Sequence, residues 1–441
     1  MRFATLKQAL AWLESHVDFE KVAPNRADVP TLQPVRDTLR ALANPEQDYP
    51  SIHITGTNGK GTTTTLITAL LAEQGFSVGT FLSPDLQRIN ERITVNGEHI
   101  SDVAFTNLLG RLADVEDAIG ISLTRFEILT VGALLHFSDM GVEVGVIEVG
   151  LGGTWDSTNV IDAAVSVLTN VDLDHTAVLG PTVAHIARDK VGIFRAHGVA
   201  VLGTDDLEVA DIAQDRADEL GCPLVMRGRD FQLDANELSL GGRLVSFSTP
   251  RATYSEVQLN LHGIHQGANA VVATVAVEEF LGRALSEDVV ASAFANATMP
   301  GRMEVLETYP LIVVDGAHNP AGVRALAATL EEAFHLMGER RIVLGMLTGR
   351  EVGDMIEPLL ALGVSEFVVC EPLSPRAQSA EVVAQHIRER GGDVTIVIDP
   401  REALRYARSQ SQPEDHIVVA GSLYLVGDVR AALLALPYQH R

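Results

Sequence analysis

The chain has 441 residues, 46% of them apolar, enough for two or three packed domains rather than one small module. A formal net charge of −25 excludes a general nucleic-acid binder, which needs a basic face to neutralise phosphates, and suits solubility. No apolar run reaches transmembrane length without charges or helix breakers, and Cys222 and Cys370 have neither disulfide-framework nor metal spacing, so the chain reads as a protein of a reducing cytoplasm.

In chain order, residues 1–10 read as an amphipathic helix without a signal-peptide apolar run. A strand over 51–55 then enters Gly56-Thr-Asn-Gly-Lys-Gly-Thr-Thr63, and a helix is expected over 62–74. Such a turn is a phosphate cradle. Gly56, Gly59 and Gly61 let the backbone around Thr57 and Asn58 approach an anion, the helix N-terminus adds positive dipole, Lys60 adds charge, and Thr62 offers a hydroxyl to Mg²⁺. The spelling departs from the common nucleotide loop. That loop places four residues between its first Gly and its Gly-Lys pair; here two separate Gly56 from Gly59, and Gly61 stands between Lys60 and Thr62.

Further on, a strand is expected over 77–82, a helix over 126–139, and a strand over 142–148 that ends in Glu148 and a Gly-rich turn. A carboxylate there suits Mg²⁺, which prefers hard oxygen ligands, although helix capping or an ion pair would also use it. A strand over 164–169 leads to Asp172-Leu-Asp-His175, and a helix over 182–190 ends at Lys190. On the residues alone, His175 reads as a nitrogen ligand or as a hydrogen-bonded loop residue. Lys190 reads as a site residue or as a complement to the helix dipole. Short alternating runs between 222 and 262 indicate a small β-rich insert, followed by a helix over 266–280.

Near Met299-Pro-Gly-Arg302 the chain turns, and strands follow over 311–315, 341–347, 366–370, 394–398 and 415–420 with helices between them. The expected architecture is α/β throughout. A P-loop-type ATPase domain with a parallel sheet and the β insert occupies 1–298, and a Rossmann-like doubly wound domain occupies 299–441.

The spelling Gly-Thr-Asn-Gly-Lys-Gly-Thr-Thr resembles the nucleotide loop of ATP-dependent amide ligases of the Mur ligase superfamily. Its extra Gly61 resembles the folylpolyglutamate synthase and dihydrofolate synthase branch. The likeness continues in the family's order through Ser83-Pro-Asp-Leu-Gln-Arg-Ile-Asn-Glu-Arg-Ile93, Glu148-Val-Gly-Leu-Gly-Gly153, Asp156-Ser-Thr-Asn-Val160 and Leu173-Asp-His175. Ala187-Arg-Asp-Lys-Val-Gly-Ile193, Gly263-Ile-His-Gln-Gly-Ala-Asn-Ala270, Pro300-Gly-Arg302 and Asp315-Gly-Ala-His-Asn-Pro320 complete it. Nearly the whole chain, residues 13–422, is covered.

This resemblance implies ATP as nucleotide and two Mg²⁺ ions. Ser83, Glu148 and His175 match positions that hold Mg²⁺ beside the phosphates, and Lys190 matches a lysine that is carbamylated in the family and helps hold the second ion. Asn269, Arg302 and Asp315 match nucleotide contacts from across the domain junction, and His318 and Ser422 match positions near the incoming glutamate. Arg92, Asp156 and Ser157 fall in the segments expected on the folate side. Lys60, Lys190 and His318 are the expected catalytic residues.

The implied activity is ATP-dependent addition of L-glutamate to a reduced folate through an acyl phosphate, with dihydropteroate as a second acceptor. A monomer is expected, because domain closure already completes the site. Two departures bear on the second acceptor: Asp85, where many members have His, and Thr154-Trp155, where many have Arg-Leu. Asp85 also reads as a solvated loop residue. Other readings are a Mur-type ligase for a different carboxylate and a noncatalytic nucleotide- or folate-binding regulator. Gly61 and the short segment before the loop disfavour the first. The retention of Lys60, Glu148, His175 and Lys190 together disfavours the second.

Overall fold

The computed structural model describes residues 2–21, 31–334, 338–349 and 351–434. Residue 1 and residues 435–441, the outer ends of the two expected units, lie outside the described residues. The first sheet contains β1 Ser51–Thr55, β2 Val78–Phe81, β3 Ile93–Val95, β4 Glu98–His99, β5 Val144–Glu148, β6 Val165–Leu168, β7 Val199–Leu202 and β8 Leu224–Met226. Their order is β4-β3-β2-β5-β1-β6-β7-β8, parallel from β2 to β8 with β3 and β4 antiparallel at one edge.

Every residue of β1 is buried, because helices cover both faces of the sheet and a central parallel strand meets no solvent. Helices Lys60–Glu73 and Ile264–Leu281 cover one face through Leu66, Ile67, Leu70, Val271 and Val275. Helices Leu6–Glu14, Asp102–Ile119 and Arg125–Met140 cover the other. Helix Ile264–Leu281 is apolar almost all round, which fits an element buried on every side. It also packs beneath a second, three-stranded antiparallel sheet of β9 Gln232–Ser239, β10 Gly242–Ser248 and β11 Thr253–Leu259.

Strands β3, β4 and β7 were not expected from the sequence, and two boundaries differ for a structural reason. The β insert is narrower than 222–262, because β8 pairs with β7 in parallel register, Ala200 opposite Leu224, and so belongs to the main sheet. The loop helix starts at Lys60 rather than Thr62, because Gly59 turns the chain with φ +81 and caps it there.

The remaining strands form one six-stranded sheet: β12 Glu304–Thr308, β13 Leu311–Val314, β14 Arg340–Leu344, β15 Glu366–Val369, β16 Val394–Ile396 and β17 His416–Ala420. The order is β12-β13-β17-β14-β15-β16, antiparallel only at β12. Apolar clusters lie on both of its faces, as in a doubly wound domain. Among the described residues no helix is long and apolar enough to cross a membrane.

His53 lies in the middle of β1, fully buried, with Nε2 at 2.8 Å from Thr158 Oγ1. Burial pushes its imidazole down to about 3. Below the ordinary histidine value of about 6.5 the unfolded imidazole takes up a proton while the folded one does not, so stability falls as pH drops from about 6.5 toward 3. His53→Gln is expected to reduce the stability lost between pH 7.5 and 5.5 by about 1 kcal/mol, read from urea unfolding at both pH values. An unchanged pH dependence would show that His53 is not the group responsible.

Candidate active site

The glycine-rich turn leaves the carboxyl end of β1 and is held open by the segment that follows β6. Thr57 N–H donates to the Asn170 carbonyl at 2.9 Å, Asn58 N–H to Asn170 Oδ1 at 3.0 Å, and Thr169 Oγ1 to the Asn58 carbonyl at 2.7 Å. The first helical hydrogen bond is Thr63 N–H to the Gly59 carbonyl at 2.9 Å. The amides of Lys60, Gly61 and Thr62 therefore stand outside the helix's own ladder, available to an anion. Space and backbone conformation favour glycine at two positions here, most strongly at Gly59 with φ +81. A Cβ on Gly59 would lie 2.5 Å from Asn269 Oδ1, and one on Gly61 would crowd Met299 Cε at 3.3 Å and approach the Glu148 carboxylate.

Two ammonium groups share one acceptor. Lys60 Nζ donates to the Gly56 carbonyl at 3.0 Å and the Thr57 carbonyl at 3.3 Å, and Lys190 Nζ donates to the same Gly56 carbonyl at 2.8 Å. Burial lowers the pKa of both. Lys190 falls well below the ordinary lysine range, with the charge of Lys60 adding to the effect. Glu148, at the end of β5, accepts from Ser83 N–H at 2.9 Å; burial raises its pKa and the neighbouring Lys60 opposes that rise.

His175 caps a one-turn helix, and burial lowers its imidazole to about 3, so the ring is neutral and has a lone pair to offer. Among the described residues no group of three or more His, Cys, Asp or Glu forms a preformed metal cage. The donors present are two hydroxyls, one carboxylate and one neutral imidazole. They fit Mg²⁺, which keeps several waters and completes its shell with one or two carboxylates and substrate phosphates.

The second domain closes the cleft. Asp315 accepts from Met303 N–H at 2.9 Å and Ala317 N–H at 2.7 Å, fixing the turn that carries Arg302. His318 Nδ1 lies 2.9 Å from the Gly316 carbonyl, which only accepts, so Nδ1 bears the hydrogen and Nε2 the lone pair. Burial lowers this imidazole to about 4. Asn319 Nδ2 bridges to Asn58 Oδ1 at 3.0 Å and Asp174 Oδ2 at 3.2 Å. Asn170 and Asn319 position the loop, yet sequence reasoning did not single them out. Asn319 stood inside the Asp315–Pro320 motif and Asn170 directly after the strand over 164–169, and a polar side chain at the end of a strand was the available signal.

The resulting cavity of 440 Å³ gathers Gly56–Thr62 in sequence together with Ser83, Glu148, His175, Lys190, Asn269, Arg302, Asp315 and His318. A second cavity of 250 Å³, walled by Phe19, Phe126, Trp155 and Leu347, holds Asp156, Ser157 and Ser422. The two meet at Ser83, His175 and His318, which line both. Asp156 accepts from the amides of Leu151 and Thr158, each at 2.9 Å, and Ser422 accepts from Leu425 N–H at 3.1 Å, so both also hold their own turns.

Arg92 is not brought to either cavity, contrary to the expectation that it meets the folate. It is buried, with Nε on Asp85 Oδ1 at 2.6 Å and its two terminal nitrogens on Glu20 at 2.8 and 2.7 Å. Nor is Asp85 a solvated loop residue, since the same ion pair buries it. Trp155, the other departure, does face the second cavity.

Comparison with known proteins agrees with this geometry. Residues 54–277 match the Mur ligase middle domain, and residues 301–423 match the Mur ligase, glutamate ligase domain. A dihydrofolate synthase/folylpolyglutamate synthase of Mycobacterium tuberculosis (strain ATCC 25618 / H37Rv) is 34% identical over 423 residues, covering 90% of this chain and 84% of the relative. A crystal structure of Mycobacterium tuberculosis folylpolyglutamate synthase complexed with ADP superposes with TM-score 0.91 at 31% identity, covering 100% of both chains. The E. coli FolC structure in complex with DHPP and ADP superposes with TM-score 0.87 at 29% identity, covering 99% of both. The chain belongs to the folylpolyglutamate synthase and dihydrofolate synthase family of the Mur ligase superfamily.

Proposed function

We propose that this protein is an ATP-dependent ligase that joins L-glutamate to a reduced folate in γ-amide linkage, releasing ADP and phosphate. The observation that carries this reading is the meeting of a phosphate cleft and an aromatic-walled pocket at Ser83, His175 and His318. A flat pterin suits walls of Phe126 and Trp155. Its glutamyl carboxylate then points toward the nucleotide, with residues up to 298 acting as the ATP-binding unit and those from 299 as the glutamate ligase unit.

A carboxylate does not condense with an amine in water without a leaving group. Transfer of the γ-phosphoryl of ATP to the acceptor carboxylate gives an acyl phosphate and ADP; attack by the amine of L-glutamate then gives the amide and phosphate. Lys60 and the amides of Lys60, Gly61 and Thr62 hold the phosphates where charge spreads over the transferred oxygens. Asn269, Arg302 and Asp315 hold the nucleotide from the junction. His318 offers Nε2 to a proton of the attacking amine. Thr62, Ser83, Glu148 and His175 are suited to hold one Mg²⁺, which when bound shields phosphate charge; Lys190, as a carbamate, would help hold a second.

Capture of CO₂ by the neutral Lys190 amine forms an N–C bond, releases one proton and leaves an anionic oxygen ligand. Its buried position beside Lys60 supports that chemistry by disfavouring the ammonium. Dihydropteroate is a second acceptor on this reading: Asp85 is tied to Arg92 away from the pocket, and Trp155, the other departure, gives the pocket an aromatic wall that suits a pterin. The site is complete within one chain, which supports a monomer acting in the cytoplasm on small molecules.

Purified protein with Mg-ATP and L-glutamate is expected to add one glutamyl unit to tetrahydrofolate and to dihydropteroate, read as ADP release and product mass. Silence with both acceptors despite ATP binding would sink the folate reading in favour of a ligase for another carboxylate. Lys60→Ala is expected to lower turnover by at least about 100-fold while the melting curve is retained. Normal ligation by that variant would remove the cradle from the mechanism. With ¹³C-bicarbonate, wild-type protein is expected to show one carbamate resonance that Lys190→Ala lacks; no resonance in the wild type would exclude the carbamate.

A further inference from the structure

The incoming amino acid brings two carboxylates into a protein of net charge −25. Lys60, Lys190 and Arg302 border the phosphate cleft, where on the ligase reading Lys60 and Arg302 meet the nucleotide and Lys190 becomes a carbamate. Around the acceptor pocket, among the described residues, Arg376 is the one lysine or arginine, and Glu20 and Asp156 line the same pocket. It belongs to the second domain, and its main chain is pinned there by Thr348 N–H to the Arg376 carbonyl at 2.8 Å and by the adjoining Leu347–Ala377 bridge.

The side chain is half-buried and reaches across the pocket mouth to a neutral partner. Arg376 Nη1 donates to the Glu20 main-chain carbonyl at 3.0 Å. The Glu20 carboxylate is turned onto Arg92 and Arg125. Arg376 thus sits beside an acidic residue without being neutralised by it. A guanidinium has five N–H donors in a fork that matches a carboxylate, and one hydrogen bond to a carbonyl is weaker than a charge-assisted pair.

We propose that Arg376 binds a carboxylate of the incoming L-glutamate, exchanging the Glu20 carbonyl for it. The proposal rests on the ligase reading. Arg376→Gln should raise KM for L-glutamate about 10- to 100-fold while KM for ATP and for tetrahydrofolate, and the melting temperature, stay at wild-type values. Arg376→Lys should recover part of the loss. Wild-type enzyme should prefer L-glutamate to one of its two mono-amides by a factor that collapses in Arg376→Gln.

An unaltered KM for L-glutamate overturns the proposal. So does a parallel rise in KM for all three substrates, which would make Arg376 an interdomain strap only. Absence of wild-type turnover would overturn the ligase reading together with this proposal; wild-type turnover with an unaffected variant overturns the role of Arg376 alone.

Discussion

The carbonyl of Gly56 receives hydrogen bonds from the side-chain nitrogens of two buried lysines, Lys60 and Lys190, and the site is organised around that arrangement. Like charges brought together away from water repel strongly, and burial together with the charge of Lys60 lowers the tendency of Lys190 to stay protonated. The nearby carboxylate of Glu148 offsets part of this, but the Ser83 amide holds it in place. The cleft is therefore locally cationic within a chain of net charge −25. An arriving triphosphate meets a field made by a few buried groups and main-chain amides, which solvent screens far less than surface charge.

Sheet topology makes this concentration feasible. β5, β1 and β6 are neighbours although their chain order is β1, β5, β6, so the turns leaving their carboxyl ends converge on one point. β1 supplies the cradle, β5 ends in Glu148, and the chain beyond β6 supplies Asn170 and His175. Open parallel sheets bind ligands at this end because nothing else covers it. Helix Ile264–Leu281 adds Asn269, close enough to Gly59 that no side chain fits between them.

What the sequence revealed follows from the range of each interaction. The cradle, Glu148 at a strand end and Lys190 at a helix end were legible because each depends on residues a few positions apart. Apolar periodicity also located β1, β2, β5 and β6 of the first sheet and β13 to β17 of the C-terminal sheet to within a few residues, but not β3, β4, β7 or β12, which lie at or near the sheet edges. The roles of Asn170, Asn319 and Arg376 depend on partners 112, 261 and 356 residues away, which no local pattern encodes. Arg92 misled for the same reason: an arginine in a substrate-side motif reads as a ligand contact until Glu20 and Asp85 are seen to enclose it. The start of the loop helix was misplaced because a left-handed Gly59 can end a loop as readily as continue one.

The contacts between the two halves are of two kinds, and the difference bears on how the site opens. Leu86, from the first half, is seated in an apolar cluster of the second with Val314, Leu425 and Val426. His262 and Phe334 add a ring contact, their centroids 5.3 Å apart, and among the described residues polar contacts border the cavities or the outer rim: Asn319 with Asn58 and Asp174, Arg376 with the Glu20 carbonyl, Arg430 with Gln87, and Arg243 with Glu332. Hydrogen bonds of this sort exchange with water at a net cost of about 1 kcal/mol each, whereas unseating a buried leucine exposes apolar surface with no compensating partner. An opening that kept Leu86 and the His262–Phe334 pair in place would break chiefly bonds that water can replace. Closing again around nucleotide and acceptor would replace several of them with bonds to ligand, so that an acyl phosphate is shielded from water chiefly when the substrates themselves complete the rim.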